Sequence, residues 1–145
     1  MIEVEYVAVI NRPCEEVFAF VSNPENETQW QSGLIEAKQT SDGPMGVAST
    51  GRDVRRIMGK KTVAAWRITK FEPNRQFAFA VISGPMPFQG SYAFETVDDG
   101  TRVTCIIQAQ TAGFSKLFDP VVSRLIKRQG EKQIAALKQV LEARV

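Results

Sequence analysis

The residues of this chain with most capacity for chemistry are two glutamines, Gln129 and Gln133, near the middle of an otherwise apolar helical stripe, and a set of large rings at alternating strand positions. A purely structural helix would carry Leu at both places. A buried amide without a partner costs roughly 1–3 kcal/mol, so each must bond to the other, to Tyr92, to trapped water or to a polar group on a ligand. Reactive side chains are scarce. The chain has no histidine, and Cys14 and Cys105 are its only cysteines. That removes Ser–His and Cys–His nucleophile systems and a conventional zinc site, which wants four N or S ligands. Cys14 follows Pro13 at a helix opening, where a thiol pKa can fall; Cys105 alternates with Val103 and Ile107 and reads as a small packed hydrophobe. There is no glycine-rich phosphate loop. The pattern implies no metal, no cofactor and no identifiable catalytic residue; it implies a lined interior.

The helix that carries the glutamines spans Asp119 to Arg144, with Asp119 as N-cap and Pro120 at the first helical position, where its missing N–H costs nothing. Val122, Leu125, Ile126, Leu137 and Val140 fall on one side; Arg124, Glu131, Lys138 and Glu142 fall opposite. Gly130 costs roughly 1 kcal/mol relative to Ala in a helix interior, which either close approach of a strand or a slight bend would explain. This helix follows a run of strand-like segments, so its apolar stripe must close over a sheet.

Those segments are Ile2 to Ile10, Leu34 to Gln39, Val47 to Ile57, Thr62 to Phe71, Arg75 to Ser83, Phe88 to Val97 and Thr101 to Gln110. Turn signals at Gly59-Lys60, Pro73-Asn74, Gly84 to Pro87 and Asp98 to Gly100 make them a meander. Two short helices, one around Val17-Phe18-Val21 and one over Pro24 to Trp30, lie between the first and second strands. Trp66 alternates with Ile68, Phe77 with Phe79, Tyr92 with Phe94 and Val103 with Cys105, while their neighbours are mostly polar. The sheet therefore has one wet face and one unusually aromatic buried face.

Length and charge narrow the function classes. The 145 residues suit one domain, and a net charge of +2 without a basic run argues against nucleic acid as the main partner. Arg52, Arg55, Arg56, Lys60 and Lys61 cluster around one hairpin and read as a solvated sheet edge. Met1 leads directly into a strand, with no signal peptide, and no apolar run approaches the roughly 20 residues a membrane span needs. A cytoplasmic protein without stable membrane insertion is expected; a homodimer is open.

The order of elements resembles the helix-grip fold of the START-like (SRPBCC) superfamily, in its polyketide cyclase/dehydrase-like branch. The local phrases that carry the resemblance are Ile10-Asn11-Arg12-Pro13, Val17 to Val21, Asn23-Pro24 with Trp30, Trp66 to Pro73, and Gly100 to Thr104. The implied fold is α+β, a seven-stranded curved antiparallel sheet wrapped around a long C-terminal helix, forming one domain over 1–145. The resemblance also implies a deep, mostly apolar cavity between sheet and helix, of the kind that takes lipids, sterols or polyketides. A cyclase using histidine as acid or base is not matched.

Trp66, Phe79, Tyr92, Phe94, Val122 and Leu125 are expected to form the apolar wall, and Arg52, Tyr92, Gln129 and Gln133 to orient a polar end. Val47 to Ile57 does not alternate cleanly, so the face of Arg52 is not fixed. Because turns alternate ends in a meander, Met58, Met86, Phe88 and Phe114 share one end, either as a cavity mouth or as loop packing over the helix start. The leading functional reading is binding or transport of a small hydrophobic ligand. The alternatives are a cyclase or dehydrase in which Tyr92 or Arg52 polarises a carbonyl, and a protein-interaction module.

Overall fold

Period-two alternation shapes β1 (Ile2–Ile10), where Ile2, Val4, Tyr6 and Ile10 are buried and Glu3, Glu5 and Val7 are exposed. The structure, a computed structural model, describes residues 2–84, 87–109 and 119–144. After β1 come α1 (Cys14–Val21), a 3-10 helix (Pro24–Gln29), then β2 (Leu34–Gln39), β3 (Thr50–Ile57), β4 (Lys60–Glu72), β5 (Gln76–Ser83), β6 (Phe88–Val97), β7 (Gly100–Ala109) and α2 (Asp119–Glu142). The strands form one antiparallel sheet in the order β1-β7-β6-β5-β4-β3-β2. This is the helix-grip fold.

Local chemistry accounts for the connections. Met58 and Gly59 both take positive φ (51° and 81°) between the paired residues Ile57 and Lys60, the conformation a two-residue hairpin needs to match strand twist. The Asn23 side chain accepts from Glu25 N at 3.1 Å, satisfying one free donor of the 3-10 helix. The third strand starts at Thr50, not Val47. Ala48 has φ of 74°, and Gly46 N donates to Ser49 Oγ at 2.9 Å, so the preceding residues form a tight loop. The second short helix is 3-10 rather than α, and α2 is assigned from Asp119 itself, ending at Glu142. Met86 and Phe114 lie outside the described residues.

The position of α2 decides where space is left. Its buried face is Gly130, Ile134, Leu137 and Leu141, and it packs chiefly on β1 at one edge of the sheet. The Tyr6 ring occupies the place where a Cβ on Gly130 would stand, so the glycine answers a close approach and not a bend. Lys138 Nζ donates to Val9 O of the edge strand at 2.6 Å. At the helix C-terminus Arg12 donates to the Glu142 and Arg144 carbonyls at 2.6 and 2.8 Å, and Asn11 N donates to the Glu142 carboxylate at 2.8 Å. These contacts satisfy carbonyls that an α-helix leaves free at its end. At that end Phe18 makes edge contacts with Phe71, Phe77 and Phe94 at centroid distances of 5.5, 6.0 and 5.2 Å, a solid aromatic plug.

Gly130→Ala should therefore destabilise the protein by about 1–3 kcal/mol in urea unfolding, although Ala is the better helix former, because overpacking against Tyr6 outweighs propensity. In a Tyr6→Leu background the penalty should largely vanish; a stabilising Gly130→Ala in the wild-type background would contradict the contact.

Candidate functional site

With α2 resting over β1, the inner face of β3, β4, β5 and β6 is left partly uncovered, and a cavity of about 780 Å³ opens there. Two glycine–ring pairs keep it hollow. Gly51 is the cross-strand partner of Trp66, and Gly90 that of Phe79. A Cβ on Gly51 would stand inside the Trp66 ring, and one on Gly90 would come within 2.7 Å of Phe79. Each ring can therefore lie down on its neighbour strand instead of projecting into the space. Tyr6, Trp66, Phe77, Phe79, Phe88 and Tyr92 supply most of the aromatic wall, and Leu125, Ile126, Gln129 and Gln133 close it from α2.

Of the residues singled out from the sequence, Trp66, Phe79, Tyr92, Leu125, Gln129 and Gln133 line the cavity, and Met58 and Phe88 do so at its hairpin end. Three expected residues do not. Arg52 points away and pairs with Glu36 at 2.8 Å, because the parity of β3 turns Gly51, Asp53, Arg55 and Ile57 inward instead. Phe94 belongs to the plug beneath α1, stacked beside Phe77 at 6.0 Å. Val122 packs against the core from α2 but is outside the lining. Gln129 is not a buried amide: it is exposed and donates to Ser32 Oγ at 2.9 Å, tying α2 to the segment after the 3-10 helix. Met45, from the loop between β2 and β3, also lines the cavity although its loop reads as polar.

A polar cluster that the sequence reading passed over forms one wall. Trp66 Nε1 donates to Asp53 Oδ1 at 3.0 Å; Arg55 donates to Asp53 Oδ2 at 3.3 Å and to Gln31 Oε1 at 2.7 Å; Gln31 Nε2 donates to Glu27 Oε2 at 3.3 Å. All five side chains line the cavity. Burial foremost, then the negative charge of Asp53, pushes the Glu27 carboxyl up to about 8, against a smaller opposing pull from Arg55. At neutral pH Glu27 is therefore mostly a neutral acid able to donate a hydrogen bond.

Beside it, Tyr6, Cys105 and Tyr92 stand abreast on three neighbouring strands. Burial raises both phenols, and pushes the Cys105 thiol up to about 11 despite hydrogen bonding to both tyrosines. All three are neutral at physiological pH. Among the described residues no group of three or more His, Cys, Asp or Glu side chains could hold a metal ion, and no helix is long and apolar enough to cross a membrane.

The family model described as "Polyketide cyclase / dehydrase and lipid transport" matches residues 1–142. No curated protein matches the chain. Among solved structures, it is similar to TTHA0849 from Thermus thermophilus (21% identity, 99% of each chain, TM-score 0.81). It is also similar to the Zhui aromatase/cyclase from Streptomyces sp. R1128 (14% identity, 97% of this chain and 93% of that one, TM-score 0.75). A START superfamily protein from Mycobacterium smegmatis aligns at 18% identity over 99% of this chain and 96% of its own, with a TM-score of 0.72. At these identities the likeness shows the fold.

The Glu27 shift has a signed consequence for stability. The folded protein holds this proton up to about pH 8, whereas the unfolded chain releases it near the ordinary 4.5. Between those values the folded state binds more protons, so this group lowers stability as pH rises through the window. Relative to wild type, Glu27→Gln should gain about 1–3 kcal/mol in urea unfolding between pH 6 and pH 9. A pH-independent difference between the two proteins would show that the acid titrates normally.

Proposed function

The chain belongs to the polyketide cyclase/dehydrase and lipid transport family, and on that premise we propose that it binds or carries a small hydrophobic ligand, lipid-like, polyketide-like or aromatic, between the sheet and α2. The observation that carries this reading is a cavity of about 780 Å³ with ring walls and one polar side, within the roughly 300–1,000 Å³ range of small-molecule sites. In this reading the whole chain is one START-like domain working in the cytoplasm. Trp66, Phe79, Tyr92 and Leu125 cover the ligand body, while Glu27, Gln31 and the Asp53–Arg55 pair meet its polar end. Gln129 and Gln133 bound the opposite wall. Met58, 98% exposed, and Phe88 form a lip that a greasy ligand can cross.

One observation favours a second reading, cyclase- or dehydrase-type turnover. A carboxylic acid held neutral at pH 7 in an apolar enclosure can donate to a substrate carbonyl oxygen as it gains charge. Glu27, with its proton held up to about 8, replaces Arg52 as the candidate for that role. Turnover of a polyketide-like substrate that Glu27→Gln abolishes, with binding retained, would favour this reading over simple carriage.

The carrier reading is tested with the neutral fluorescent probe N-phenyl-1-naphthylamine and with native mass spectrometry of gently purified protein. One saturable site is expected, and Ile107→Trp, which fills the lining from β7, should weaken probe binding at least tenfold without lowering the unfolding midpoint. Binding that ignores the added indole would place the probe elsewhere and remove the proposal.

A further inference from the structure

Apolar side chains that the core does not use gather at the open end of the cavity. Ile57 and Met58 on the β3–β4 hairpin and Leu125 on α2 line it, yet they stand 47, 98 and 60% exposed. They mark its rim. Met58 is the costliest of them: it takes φ of 51° at the first turn position, where Asn, Asp or Gly meets that geometry with less strain. On α2, Val121, Leu125, Arg128 and Lys132 share one exposed stripe, on the side away from the buried Gly130, Ile134, Leu137 and Leu141. Basic residues surround these apolar tips. Residues 54–63 hold Arg55, Arg56, Lys60 and Lys61 and no acid, and residues 119–132 hold Arg124, Lys127, Arg128 and Lys132 against Asp119 and Glu131. Arg55 turns inward to Asp53. Among the described residues the ion pairs engage Arg12, Lys38, Arg52, Arg55, Arg102 and Lys138, so the other bases of the rim are not paired with acids. These two segments carry more positive charge than the whole chain, whose net is +2, and the remainder is acidic in balance.

We propose that this rim is a docking face for an anionic phospholipid surface, set so that the cavity mouth meets the bilayer. Single apolar tips on two sides of an opening are not the continuous packed patch of a protein–protein interface. They suit entry into a headgroup layer. Met58 and Leu125 reach into that layer, while Lys60, Lys61, Arg124 and Arg128 stay at phosphate level with their aliphatic stems beside the tips. Docking is peripheral, reaching no deeper than the headgroup boundary. Each basic residue near such a surface strengthens binding about fivefold, and the attraction fades with added salt. The face stands on exposure and charge and does not need a filled cavity; resting on the cavity reading above, it also gives a greasy ligand a path that avoids open water.

The test is co-sedimentation of the full chain with vesicles of phosphatidylcholine alone or with about one-third phosphatidylglycerol. Binding to the anionic vesicles should be at least about tenfold tighter, and should fall at least about tenfold between about 0.05 and 0.5 M salt. Lys61→Glu with Arg128→Glu should weaken it at least about twentyfold, while N-phenyl-1-naphthylamine affinity, measured without vesicles, stays within about threefold and the unfolding midpoint holds. Lys70→Glu with Arg75→Glu, the same charge change beside the β4–β5 turn at the sheet's other end, should cost less than about threefold. Met58→Asn should lower vesicle binding about fivefold without lowering stability. Equal affinity for the two vesicle types, equal loss from the two charge pairs, or full binding by Met58→Asn overturns the docking face. No binding to either vesicle, the result for a rim that serves an acidic protein instead, overturns it too. Vesicle binding by a chain that takes up no naphthylamine leaves the face standing and removes the cavity reading; naphthylamine uptake without vesicle binding does the reverse.

Discussion

The seating of the long helix on the sheet's edge governs the rest of this molecule. Tyr6 projects from β1 into the notch left by Gly130, Lys138 caps an edge-strand carbonyl, and Arg12 with Asn11 fastens the helix C-terminus to the first turn of the chain. Each contact draws α2 towards β1. A helix centred over the sheet would press its Leu and Ile side chains onto the rings of β4 and β5 and close the interior. Off-centre, it completes a dense core with α1 and leaves the other half of the sheet concave. Solid core and hollow are two outcomes of one placement.

The hollow persists because bulky residues are given somewhere else to go. Protein interiors close-pack whenever side chains can reach the space, so a sheet this rich in rings should fill itself. Gly51 and Gly90 prevent that by removing the side chains over which Trp66 and Phe79 would otherwise have to stand. Trp66 is further pinned by its bond to Asp53 at 3.0 Å. The wall these rings make is apolar, and Trp66 is anchored within it.

Most of the architecture was legible in the sequence because burial on one face imposes period two on β1, β6 and β7, and Gly and Pro punctuate the turns. The site was only half legible, for reasons specific to its residues. In β3 the run Arg52-Asp53-Val54-Arg55-Arg56 carries charge on both parities, so hydrophobicity cannot say which side is inside; the pairing of Gly51 with Trp66 settles it. That pairing was the available signal, since a glycine opposite a tryptophan marks where a ring lies flat. Glu27 was hidden because Pro24–Gln29 has no apolar stripe at all. Its inward set, Pro24, Glu27 and Gln31, recurs at intervals near three and four, as a short 3-10 turn running into a bend requires. Gln129 misled in the opposite sense: helical position placed it on the stripe, whereas the stripe itself turns with Gly130, Ile134, Leu137 and Leu141.

An uncompensated acid in such a place needs a reason beyond folding. Packing could have been served by Leu or Met at position 27, and a buried carboxyl without a full set of partners costs stability in either protonation state. The neighbouring Asp53, Arg55 and Gln31 side chains bond to one another through Arg55 Nη2 without Glu27. Arg55 lowers the cost of ionising Glu27, but Asp53 and burial together raise it more. The group is thus mostly protonated at neutral pH, able to donate a hydrogen bond. A costly acid that lines a cavity and is not needed by the core is a candidate for contact with what the cavity holds. The contacts of Arg12, Asn11 and Lys138 with the helix C-terminus and the edge strand involve no residue of the cavity lining, and their stability can offset the cost of Glu27.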